Sequence, residues 1–124
     1  TMLAQMTQGK PDVVLFELGD GILGAYGVEA LLSGPDVARS LTAVILSAND
    51  PVAAWGGVKL LRERFGIEPC AVTGPATDNA VGVNIIEQQM QVRAFNAITA
   101  GAALGDHIIE SLGLATQAAS AVNQ

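Results

Sequence analysis

The sequence predicts an α/β fold in which a mostly parallel sheet is buried on both faces by helices. Three observations carry that expectation. Half of the residues are hydrophobic, 15% are charged and only 4% are aromatic, so the core has to be built from Val, Ile, Leu and Ala. Such a composition suits parallel strands covered on both sides. Short apolar, β-branched runs recur along the chain, each closed by Gly, Pro, Asn or Ser, and helix-start signals fall between them.

Taken in order, residues 1–8 read as the end of a helix, and the chain as a fragment of a longer protein. Residues 12–18 (DVVLFEL), introduced by Gly9-Lys10-Pro11 and closed by Gly19, read as a buried strand. A short helix or irregular crossover over 24–33 follows, and Pro35 restarts a helical turn through Arg39, with Ser33 or Gly34 as its cap. Residues 41–47 (LTAVILS) form the second strand. Asp50 as N-cap and Pro51 at the first position then start a helix that runs to about Phe65 and stops at Gly66. Residues 69–73 make a third strand, and Thr77 or Asp78 caps a helix through Met90. A fourth strand over 92–97 and an Ala-rich helix over 100–112 complete the pattern, before a small, polar tail over 115–124 that reads as a frayed helix or a docking element. Alternating strands and helices with short connections specify a single Rossmann-like domain: a three-layer sandwich with about four strands and right-handed crossovers.

Charge and cysteine content narrow the partners. Six Lys and Arg against twelve Asp and Glu give a net charge of −6, which fits neither a nucleic-acid groove nor an anionic membrane surface. No apolar run approaches the ~20 residues of a membrane span. Cys70 is the single cysteine, so no intramolecular disulfide forms and a cytoplasmic location is expected. Its place in an apolar run reads as a buried, inert thiol.

In a parallel sheet the loops leaving the carboxyl ends of the strands share one edge, and ligands bind there. Those loops are 19–24 (GDGILG), 48–50 (AND) and 74–79 (GPATDN), which makes Gly19, Asp20, Gly21, Asn49, Gly74, Asp78 and Asn79 the candidate binding residues. Glu17, Asp20, Asp50 and Asp78 gather on or beside that edge, and no basic residue falls in the loops. A bare phosphate would meet carboxylates without a counter-charge, so a nucleotide carried with Mg²⁺ fits better than a free anion. Two readings compete for Asp50 and Asp78, since each also works as a helix cap and nothing more. Two also compete for Glu17, which interrupts an apolar strand. A buried carboxylate there would need a partner or a metal, whereas one at the solvated mouth of the sheet needs neither.

Residues 19–24 match Gly-x-Gly-x-x-Gly literally, but Asp20 would aim its charge at a pyrophosphate, and no acidic residue closes the second strand. His107, the only histidine, reads as a solvated or capping side chain on the last helix. No catalytic residue is assigned.

The string from Asp12 to Gly21 (DVVLFELGDG) resembles the "hydrophobic strand, Glu, Gly-rich loop" element of the dethiobiotin synthetase and cobyrinic acid diamide synthase group of P-loop proteins. The order of elements that follows is also similar, and the resemblance spans residues 11–80. It implies ATP and Mg²⁺ as cofactors, Glu17 with Asp20 beside the metal, and the loop after the third strand near the base. The phosphate-cradling Gly-x-x-x-x-Gly-Lys-Ser/Thr is absent from the chain, and Leu18 and Asp20 replace small residues of the family loop. On this reading the chain is the C-terminal part of a nucleotide-dependent enzyme, partnered by the remainder of its own polypeptide. The alternative is a non-catalytic Rossmann-like domain that binds a small molecule or mediates oligomerisation. In that case Gly101, Ala102, Ala103 and Gly105 allow close helix packing across a homo-oligomer or onto the domain's own sheet.

Overall fold

A computed structural model describes residues 2–24 and 27–113, so the tail over 115–124 lies outside the described residues. The chain divides into two compact units, residues 1–31 and residues 32–124.

The first unit holds a six-residue helix, α1 (Met2–Thr7), and most of a second, α2 (Val28–Ser33). The expected strand over 12–18 is not formed: those residues are irregular, and Leu15 is 82% exposed. The reason is pairing. A strand needs a neighbour to take its N–H and C=O groups, and residues 12–18 join no sheet among the described residues.

In the second unit, Pro35 opens α3 (Pro35–Ser40) behind Gly34, as its fixed φ favours. Then come β1 (Ile45–Ser47), α4 (Pro51–Phe65), β2 (Ala71–Thr73), a 3-10 turn (Pro75–Thr77), α5 (Ala80–Met90), β3 (Arg93–Ala94) and α6 (Gly101–Ser111). Among the described residues the sheet has three strands where four are expected, in the order β1-β2-β3, and both pairings are parallel. The expected strand over 92–97 contracts to β3 because Asn96 turns the chain by accepting from the backbone N–H groups of Ile98 and Thr99, each at 3.0 Å.

Register fixes the two faces of the sheet. Leu46 pairs with Val72 and Val72 with Ala94, and these three share one face. That face joins Ala54 and Val58 of α4, and Ile86 and Met90 of α5, in the larger core cluster. Ala71 and Phe95 lie on the opposite face and pack with Leu104, Ile45 and Ile108. Side chains of α4 and α5 thus pack with one face and side chains of α6 with the other.

The helix ends follow sequence signals. Asp50 accepts from the Ala53 N–H at 2.8 Å, and Gly66 ends α4 in the left-handed region at φ 63°. The cap of α5 is Asn79, whose Oδ1 accepts from the Gly82 N–H at 2.9 Å, and not Thr77 or Asp78, which belong to the preceding turn and its end. The outward N–H of Ala94 on β3 is taken by Glu87 at 3.1 Å, so the sheet edge is covered by a side chain. Arg62 donates to both oxygens of Glu68 through Nε at 2.9 and 3.0 Å, and this hydrogen bond holds the guanidinium above its ordinary pKa.

Gly82 marks the closest approach. It is buried, and a Cβ there would overlap the Ala76 carbonyl oxygen. In an open helix Gly→Ala gains up to about 1 kcal/mol. Here the contact is with backbone fixed by the 3-10 turn, so overpacking decides the sign. Gly82→Ala is expected to lose about 1–3 kcal/mol in urea denaturation.

Candidate functional site at the carboxyl edge of the sheet

β1, β2 and β3 are parallel, so their carboxyl ends point the same way and their outgoing loops line one edge. Backbone bonds couple the first two loops. Ala48, just past β1, donates to the Thr73 carbonyl at 3.0 Å, and its own carbonyl accepts from Ala76 N–H at 3.0 Å. Gly74 crosses this junction at φ 90°, a conformation an L side chain rarely adopts.

Asn96 couples the second and third loops. Its amide Nδ2 donates to an Asp78 carboxylate oxygen at 3.0 Å and to the Thr77 carbonyl at 3.3 Å, while its Oδ1 holds the turn at Ile98 and Thr99. Thr77 is 2% exposed and donates to the Gly74 carbonyl at 2.6 Å, which pins the turn that presents Asp78. One buried hydroxyl beside these loops, Thr73 Oγ1 at the end of β2, has no hydrogen-bond partner. An unsatisfied buried hydroxyl costs about 1–3 kcal/mol.

Of the residues singled out in the sequence, Asn49 lies on the first of these coupled loops and Gly74, Asp78 and Asn79 on the second. Asn49, Asp78 and Asn79 are exposed. Asn79 is committed to its cap. Asp78 does not cap α5 but ends the 3-10 turn, and its carboxylate accepts from Asn96 at the exposed edge. Asp50 is the cap of α4, and removing that bond by Asp50→Ala is expected to cost about 1 kcal/mol, measured by thermal denaturation. Asn96 falls inside the expected strand over 92–97, and the sequence signal for a turn there is an amide directly after Val92-Arg93-Ala94-Phe95.

Glu17, Gly19, Asp20 and Gly21 belong to the first unit. All four are exposed, so Glu17 carries no burial penalty that would call for a metal. Residues 20–24 fold back on themselves: a Cβ on Gly24 would stand 3.2 Å from an Asp20 carboxylate oxygen and 3.5 Å from the Gly21 carbonyl. Among the described residues, no group of three or more His, Cys, Asp or Glu is arranged to hold a metal ion.

The remaining candidates sit elsewhere. His107 Nε2 is 2.9 Å from the Cys70 carbonyl, which can only accept, so that nitrogen carries the proton. Its ring lies 5.2 Å from that of Phe95, and Cys70 precedes β2 at the amino end of the sheet, the end opposite the loops. His107 therefore ties α6 to the sheet, instead of capping a helix. Cys70 is half-buried, with Sγ 3.3 Å from Ser111 Oγ.

No protein-family model, no curated protein and no solved structure matches the chain. Among the described residues no helix is long and apolar enough to cross a membrane. The functional reading therefore rests on the edge itself. What the edge offers is amide and carboxylate oxygens and backbone groups, with no Lys or Arg in any of the three loops. Such a surface can accept hydrogen bonds from hydroxyl, amine or amide groups, and it repels a bare anion.

Proposed function

We propose that the chain is a Rossmann-like α/β domain that binds a small polar molecule over the carboxyl ends of its strands. The observation that supports this reading is the coupling of three adjacent loops through Ala48 and Asn96, which holds Asn49, Asp78 and the Gly74 backbone in one fixed frame. Ligand sites on parallel sheets are built on loops of this kind, held by a rigid scaffold.

The ligand class suggested by the sequence resemblance is a nucleotide. Without basic residues on the loops, its phosphates would have to arrive with Mg²⁺. Glu17 and Asp20 are the residues that the resemblance assigns to the metal, and in this reading the chain is the C-terminal part of a nucleotide-dependent enzyme. The exposed Glu17 gives the non-catalytic binding reading the better footing of the two.

The test is an NMR titration of the chain with adenosine, ATP and Mg·ATP. Shifts in the amides of residues 48–50, 74–79 and 96–99 with adenosine or Mg·ATP are the expected result. If none of the three probes moves those amides, the nucleotide reading fails. Binding of Mg·ATP that is unchanged in Glu17→Gln removes the metal role of that residue and leaves the binding reading standing.

A further inference from the structure

We draw no further inference here: the strongest candidate, the exposed apolar side chains Val52, Val81 and Ile98 around the carboxyl edge of the sheet, carries nothing because nothing in the structure shows what covers them.

Discussion

Gly74→Ala is expected to destabilise the second unit by about 2–4 kcal/mol, combining backbone strain with a steric clash. At φ 90° and ψ −173°, Gly74 occupies a region that is essentially closed to side-chain-bearing residues. A Cβ would also stand 2.7 Å from the Ala48 carbonyl oxygen, 2.7 Å from Ser47 Oγ and 2.9 Å from Ala48 N. The hydroxyl can rotate away, but the Ala48 groups cannot, because both are committed to bonds with Ala76 and Thr73. Relief would have to break the junction between the first two loops. Urea denaturation checks the magnitude, with Gly101→Ala as the control, since nothing lies within 4 Å of a Cβ there. A near-neutral Gly74→Ala would mean that the junction gives way easily, and the rigid frame proposed for the ligand would lose its basis.

Ile86→Ala is expected to cost about 2–5 kcal/mol, the range for truncating a large aliphatic side chain in a packed core. Ile86 is fully buried in the cluster where α4 and α5 meet the sheet, beside Val72 and Met90. Its neighbours come from several elements, so no single shift of one helix can fill the space left behind. The neighbouring Ile85 is only half-buried, and Ile85→Ala is expected to lose less. Equal losses at the two positions would contradict the assigned inward face of α5.

Much of the second unit was legible because its signals are local. Asp50-Pro51 starts α4 and Gly66 ends it through chemistry confined to a few residues, and the apolar runs around Ile45 and Ala71 have turn residues beside them. Two departures come from forces that the local pattern does not carry. Residues 12–18 are as β-branched and apolar as β1, yet strand formation depends on a partner elsewhere in the chain, and composition is silent on that. Asn79 caps α5 in place of Thr77 or Asp78 because Pro75 initiates a 3-10 turn that uses Thr77 first. The candidate edge was legible to the extent that parallel strands must send their loops one way. Asn96 was not, because its role depends on Asp78 arriving from a different crossover. Glu17 looked costly only on the assumption of a buried strand around it.

The order of the sheet has a consequence for how the chain assembles. Ile45 pairs with Ala71 and Ala71 with Arg93, so each strand docks against the one made immediately before it, with a single helix in between. No pairing has to wait for a distant segment, and loop-closure entropy stays modest at every step. During synthesis, β1 and α4 can receive β2 as it emerges, and β2 with α5 can then receive β3. The strand order therefore allows the sheet to be extended in the direction of translation, each new strand adding beside the one made before it.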